Sequence, residues 1–133
     1  MSEEIRYPSI KQVERLYSQT MKSGGGSPGY LSKSNLEYLL DAIRDIGERL
    51  DRKHAIIKKA SFLLFNVITL HPFLNGNKRT SYELARLFLR LNGYEITSKS
   101  GETYLFLLKI GAGKASADEV DRWIARNLAE FKE

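Results

Sequence analysis

The feature that most constrains the fold of this chain is an apolar run from Ala55 to Leu70, which places hydrophobic residues on almost every side of a helix. A surface helix carries a single apolar stripe, whereas a helix that is apolar all round must be surrounded by other elements. Pro72 cannot extend this helix, and it biases the preceding residue, His71, away from helical geometry. The sequence therefore predicts a buried central helix that ends at His71.

Helix-start signals and apolar spacing place other helices around the central one. Three capping-box patterns, in which a Ser precedes a Glu or Gln by three residues, mark helix starts: Ser9–Gln12, Ser34–Glu37 and Ser116–Glu119. Further helices are expected to begin near Asn77 and to cover roughly residues 102–110, and the helix that starts at Ser116 is expected to include Leu128. The sequence therefore predicts an all-α fold of about six helices in a single domain, residues 1–133.

Composition restricts the classes of function. The chain has no cysteine, so disulfides and thiolate metal sites are excluded. Its 21 basic and 16 acidic residues give a net charge of +5, but the basic residues are scattered over helical faces and form no dense run. The charge pattern therefore argues against nucleic-acid binding and favours a solvated basic surface. An acidic N-terminus and the lack of a membrane-length apolar stretch lead us to expect a cytoplasmic protein that does not bind a membrane.

The residues after the central helix combine a histidine with an anion-binding pattern. Backbone N–H groups and the dipole at a helix start attract anions, and Gly76 lets the backbone curl tightly just before that start. Cations gain nothing from the dipole there, so Lys78 and Arg79 favour a phosphate held between them, with Arg79 able to grip two oxygens. We therefore assign Gly76, Asn77, Lys78 and Arg79 to phosphate binding. His71 can take the proton of a hydroxyl group, which favours phosphoryl or nucleotidyl transfer.

This segment resembles the signature of the Fic/Doc family, His-x-Phe-x-(Asp/Glu)-Gly-Asn-(Gly/Lys)-Arg. The matching run in this chain is His71-Pro72-Phe73-Leu74-Asn75-Gly76-Asn77-Lys78-Arg79. Lys78 is similar to the Doc (death-on-curing) branch, because Fic proteins usually have Gly there and a second Arg where this chain has Tyr82. The resemblance continues to the closing helix around Trp123 and is weakest over residues 1–55.

The resemblance implies a set of roles. His71 is then the catalytic base, Phe73 anchors the loop on the core, and the chain uses ATP with Mg²⁺. In the Doc branch, Lys in place of Gly accompanies a reversed nucleotide. The resemblance therefore implies a toxin-type protein kinase that transfers the γ-phosphate to a Ser or Thr hydroxyl. It further implies a target protein such as a translation elongation factor, and an antitoxin protein as a second partner.

The chain differs from the family signature at Asn75, where the family has the carboxylate that holds Mg²⁺. A neutral amide oxygen is a weaker ligand for a hard divalent cation, so Asn75 is a weak metal candidate and Mg²⁺ binding is expected to fall. Two alternatives therefore stand beside the kinase hypothesis. One is a Fic-type AMP transferase, and the other is a catalytically weakened binding module.

Overall fold

The computed structural model of this protein describes residues 4–131, in which six α-helices accompany two short strands. The elements are α1 (Ile10–Gly24), α2 (Lys33–Ala42), α3 (Arg52–Leu70), α4 (Asn77–Leu91), β1 (Tyr94–Ile96), α5 (Ser100–Gly111), α6 (Ala117–Arg126) and β2 (Leu128–Glu130). A short 3-10 turn, Ile43–Asp45, follows α2 directly. The predicted all-α class is confirmed. No helix within residues 4–131 is both long and apolar enough to cross a bilayer.

The predicted buried central helix is α3, which contacts α2, α4, α5 and α6. Ile56, Leu63 and Leu64 on this helix are fully buried, and truncating such a side chain typically costs about 2–5 kcal/mol. The helix begins at Arg52, three residues earlier than the apolar pattern suggests. Asp51 explains the difference, because its side chain accepts a hydrogen bond from the backbone N–H of His54 and caps the first turn.

One charged side chain lies inside this apolar core. Lys59 on α3 is 2% exposed, and its Nζ donates to the carbonyl oxygens of Ile43 (2.8 Å) and Arg44 (3.0 Å). These carbonyls lie in the turn that follows α2, and the ring of Tyr7 lies 5.4 Å from the same Nζ. Because carbonyl acceptors satisfy the buried amine, Lys59 joins the end of α2 to the central helix with no acidic partner among residues 4–131.

The start of α2 corrects one capping prediction. Ser34 is not the cap: the Ser32 hydroxyl accepts from the backbone N–H of Asn35, and α2 begins at Lys33. Ser32 has extended backbone geometry (φ −149°), as an N-cap requires, whereas Ser34 lies in the first turn with its hydroxyl 3.1 Å from that of Ser32. The capping boxes at Ser9 and Ser116 are confirmed.

The last helix is shorter than its apolar spacing predicts. It ends at Arg126, and Leu128 lies in β2, where it pairs antiparallel with Ile96 of β1. Tyr94–Ile96 thus forms one strand of a two-stranded sheet. Its partner was missed because three residues are too few to show a period of two, and because the pairing residues lie far apart in the sequence.

Candidate active site

His71 lies at the point where α3 ends, in a left-handed backbone conformation (φ 52°, ψ 56°). Among residues 4–131 it is the only residue other than glycine with a positive φ. Its backbone N–H donates to the Val67 carbonyl (3.2 Å) and closes the last turn, while Pro72 prevents another turn. A left-handed residue with a Cβ costs roughly 1 kcal/mol or more, so His71 occupies a strained position.

One hydrogen bond orients the imidazole of His71. Its Nδ1 lies 3.2 Å from the carbonyl oxygen of Ile68. Because a carbonyl can only accept, Nδ1 carries the proton in this bond, and Nε2 of the neutral ring keeps its lone pair. The side chain is exposed. His71 is thus arranged to accept a proton at Nε2 from a group that approaches from solvent.

Phe73 fixes the loop that follows His71. It is 1% exposed, and its ring stacks on Tyr17 of α1 with centroids 3.9 Å apart. On its other side lies Tyr30, at 5.5 Å, and the backbones of Tyr30 and Phe73 form an antiparallel β-bridge. Stacked aromatic rings add to the stabilisation from burial alone. The loop is therefore anchored to α1 and to the segment before α2.

Asn77 does not present its side chain to a ligand, although this residue was among the predicted phosphate contacts. The residue is 5% exposed, and its Oδ1 accepts from the Phe73 N–H (3.0 Å) while its Nδ2 donates to the Phe73 carbonyl (2.8 Å). This pair of bonds closes the turn between the loop and α4. What Asn77 can offer to a ligand is its backbone N–H.

The start of α4 is uncapped. The N-cap residue, Gly76, has φ 79° and no side chain to accept a hydrogen bond. Within residues 4–131, the N–H groups of Asn77, Lys78 and Arg79 have no protein acceptor. A Cβ at Gly76 would come within 2.5 Å of the Met21 sulfur, and the positive φ favours glycine there as well. Free N–H groups and the positive end of a helix dipole are the features that attract anions to helix starts.

The two cations next to this helix start differ in their surroundings. The Arg79 guanidinium lies at the end of α1, where its nitrogens are 3.4 Å from the Thr20 carbonyl and 3.3 Å from the Gly25 carbonyl. These contacts occupy part of its donor set. Lys78 is exposed, and its side chain runs beside Gly111 of α5. The described structure thus holds Arg79 in place and leaves Lys78 extended along α5.

Two adjoining cavities flank Arg79. A cavity of about 310 Å³ lies between the start of α4 and one face of α5; its lining residues are Gly76, Asn77, Lys78, Arg79, Tyr104, Leu107 and Leu108. A cavity of about 420 Å³ lies between α1 and α4 and shares Arg79 and Leu107 with the first. Within the described chain His71 lines neither cavity. His71 is joined to this end of α4 by the loop Pro72–Gly76. We call the two adjoining cavities the groove.

The α5 wall of this groove was not predicted from the sequence. Tyr104 and Leu108 lie one helical turn apart, and both are exposed, Tyr104 at 62%. Large apolar residues at this spacing on the outer side of a predicted helix were the available signal. The stacking of Tyr17 on Phe73 was likewise not predicted from the sequence.

The predicted metal ligand, Asn75, has a structural contact. Its side-chain Nδ2 donates to the Ser27 carbonyl (2.9 Å), and its own backbone carbonyl accepts from the Tyr17 hydroxyl (3.0 Å). Across residues 4–131, no three His, Asp or Glu side chains lie together so as to hold a metal ion. A single neutral amide oxygen is a poor donor set for Mg²⁺. The residues present fit nucleotide phosphates but do not fit a Mg²⁺ site made by the protein alone.

Comparison with known proteins gives the family of this chain. The family model described as "Fic/DOC family" matches residues 7–89, a stretch that runs through α1, α3 and the loop to α4. The chain therefore belongs to the Fic/DOC family. A curated relative, "Probable protein adenylyltransferase y4lH" of Sinorhizobium fredii (strain NBRC 101917 / NGR234), is 33% identical over 81 residues, which make up 60% of this chain and 42% of the relative. The chain thus spans less than half the length of that relative.

Proposed function

We propose that this protein is an ATP-dependent transferase that modifies a hydroxyl group of a target protein. The proposal rests on one arrangement: a histidine with a free Nε2 stands a few residues before an uncapped helix start that binds anions. General-base catalysis of group transfer needs a proton acceptor beside a site that fixes phosphate groups. Family membership supports the same class of reaction.

The groove supplies places for the parts of ATP. The N–H groups of Asn77, Lys78 and Arg79 bind phosphate oxygens, and the Arg79 guanidinium adds a charge-assisted contact. The α5 wall offers Tyr104 and Leu108 to the nucleoside. Binding sites for molecules of this size commonly combine such apolar walls with a few polar groups.

The reaction favoured here is transfer of the γ-phosphate to a Ser or Thr hydroxyl. The hydroxyl oxygen forms a bond to the γ-phosphorus, its proton passes to Nε2 of His71, and the bond from the γ-phosphorus to the β,γ-bridging oxygen breaks to release ADP. Lys78, and Tyr82 in place of a second Arg, support this choice through their similarity to the Doc branch. A translation elongation factor as target, restraint by an antitoxin and a cytoplasmic location belong to the same proposal.

A second candidate is AMP transfer, and the name of the adenylyltransferase relative favours it. In that reaction the hydroxyl oxygen forms a bond to the α-phosphorus and pyrophosphate leaves, while His71 again accepts the proton. The two reactions place different phosphates next to Nε2. They therefore differ in which labelled phosphorus reaches the target.

Separate labelling of the α- and γ-phosphorus of ATP distinguishes these reactions. The purified protein is incubated with Mg²⁺, cell extract and either labelled nucleotide, and labelled protein bands are compared with those of a His71→Ala variant. Label from γ-labelled ATP alone, lost in the variant, is the expected result. Label from α-labelled ATP alone would establish AMP transfer instead. If neither label is transferred although ATP binds, the chain is a binding module.

A further inference from the structure

The backbone conformation of Gly24, the last residue of α1, does not explain why this residue is a glycine. The positive φ values of the glycine-rich loop begin only at Gly25 (φ 75°). A Cβ at Gly24 would overlap the Nη1 and Cζ atoms of Arg79. The space that a side chain would fill at position 24 is thus already taken by the Arg79 guanidinium.

Three groups at the end of α1 contact the Arg79 guanidinium. Nη1 faces the Thr20 carbonyl, and Nη2 faces the Gly25 carbonyl at 3.3 Å and the Met21 sulfur at 3.8 Å. The carbonyl end of a helix is also the negative end of its dipole, which favours a cation there. We call these contacts, together with the space left by the missing side chain of Gly24, the Arg79 seat.

We infer that Gly24 is a positioning residue for Arg79. Because Gly24 has no side chain, the guanidinium occupies the Arg79 seat, from which it contacts phosphates bound on α4. The inference rests on the proposed function, in which Arg79 binds phosphate. Arg79 lies between the two cavities and lines both of them. A shift of its head group therefore changes what the groove presents to a nucleotide.

A side chain at position 24 is expected to weaken ATP binding without affecting folding. The atoms that a Cβ would meet belong to the far end of a flexible side chain, which can move without disturbing the backbone. A Gly24→Ala variant is expected to fold normally, with Arg79 displaced from the carbonyls of Thr20 and Gly25. A lost charge-assisted hydrogen bond to phosphate lowers affinity by about tenfold or more.

Titration calorimetry with ATP tests this effect. Gly24→Ala is compared with Gly101→Ala, a matched control in the first turn of α5 where a Cβ would meet no atom within 4 Å. We expect the first change to raise the Kd for ATP by about tenfold or more, and the second to leave it unchanged. The melting temperature of each variant verifies that folding is intact. An unchanged Kd in Gly24→Ala would overturn the inference.

A double-mutant cycle separates positioning of Arg79 from a general effect of the loop. In an Arg79→Ala background there is no guanidinium to displace, so adding Gly24→Ala is expected to change the Kd for ATP no further. An equal loss of affinity in both backgrounds would show that Gly24 acts on the site by another route.

Nuclear magnetic resonance gives a measurement that does not depend on ATP. The Nε–Hε signal of Arg79 is expected to shift in Gly24→Ala and to stay in place in Gly101→Ala. If the unaltered protein binds no ATP, the proposed function fails, while this comparison still decides whether Gly24 seats Arg79. An unmoved Arg79 signal in Gly24→Ala would show that it does not.

Discussion

The hydrogen bond from His71 to the Ile68 carbonyl makes the role of this imidazole testable at the scale of one residue. Replacing His71 with Ala removes the proton acceptor, and we expect transfer to fall by about 10²- to 10⁴-fold. ATP binding is expected to persist because the anion site lies on α4. Steady-state transfer rates and calorimetric ATP affinity measure the two effects.

The chain provides a matched control in its second histidine. His54 is exposed at the start of α3, where its Nδ1 lies 2.7 Å from a carboxylate oxygen of Asp51. The His54→Ala variant is expected to transfer at the rate of the unaltered protein. Equal rates in His71→Ala and the unaltered protein would exclude His71 as the base.

Asn75 supports a different prediction at this scale, because its amide has a structural partner. In an Asn75→Asp variant, a carboxylate oxygen would face the Ser27 carbonyl where the native amide places its donating Nδ2. We expect Asn75→Asp and Asn75→Ala each to destabilise the protein by about 1 kcal/mol, and Asn75→Asp to gain no Mg²⁺-dependent activity. Denaturant unfolding and transfer rates over a Mg²⁺ series measure these effects. A large gain in rate with Mg²⁺ would show that the loop accommodates the acid.

The candidate site could be predicted from the sequence because its residues lie within one short segment. His71, Gly76 and Arg79 belong to a short stretch whose chemistry is apparent from residue type and spacing. The sequence did not predict the directions in which the side chains point. Arg79 reaches across to α1, whose residues lie far away in the chain, so local spacing could not predict this contact. Asn77 turns inward to Phe73, four residues earlier, where it closes the turn between the loop and α4.

At the scale of elements, α1 stabilises the loop before α4 through Tyr17. Its ring stacks on Phe73, and its hydroxyl donates to the Asn75 carbonyl (3.0 Å) and accepts from the Gly29 N–H (3.2 Å). Tyr17→Phe keeps the stacking but leaves these two backbone groups without the hydroxyl. We expect the free energy of unfolding to fall by about 1–3 kcal/mol. ATP affinity is expected to fall with it, because the loop before α4 loosens.

Chemical denaturation and ATP titration measure both effects of this change. Tyr38→Phe is the control, because Tyr38 on α2 is 60% exposed and its hydroxyl has no comparable role at the loop. If both tyrosine variants unfold at the same denaturant concentration as the unaltered protein, the hydroxyl of Tyr17 does not hold the loop.

The elements differ in how well the sequence predicted them. Helices α1, α3 and α6 were predictable because apolar spacing and capping residues act within a few positions. The pairing of β1 with β2, and the position of α5 as a wall of the groove, depend on residues far apart in the chain. Local periodicity carries no information on which helix faces which.

For the whole molecule, Tyr30 predicts how stability changes at high pH. Burial, followed by the hydrogen bond from its hydroxyl to Glu14 (2.7 Å), raises the pKa of Tyr30 above its ordinary value of 10.0. The folded protein then keeps this proton at pH values where the unfolded chain loses it. The stabilisation is complete below about pH 10 and is lost as the pH rises above it.

Unfolding in urea between about pH 8 and about pH 11 measures this dependence. We expect the free energy of unfolding to fall more steeply above about pH 10 in the unaltered protein than in Tyr30→Phe, which has no group to titrate there. Tyr38→Phe is expected to keep the steep fall. Parallel curves for Tyr30→Phe and the unaltered protein would mean that Tyr30 titrates alike in both states.

At His71, selection for stability and selection for the proposed reaction favour different residues, because the backbone there is left-handed. Glycine and asparagine adopt this geometry more readily than histidine, so heat resistance alone rewards their substitution at position 71. Under the proposed function, a laboratory lineage selected only for survival of heating would accumulate such changes and lose activity while growing more robust. Retention of histidine at this strained turn, across many generations of a population, would therefore record continuous selection for the reaction itself.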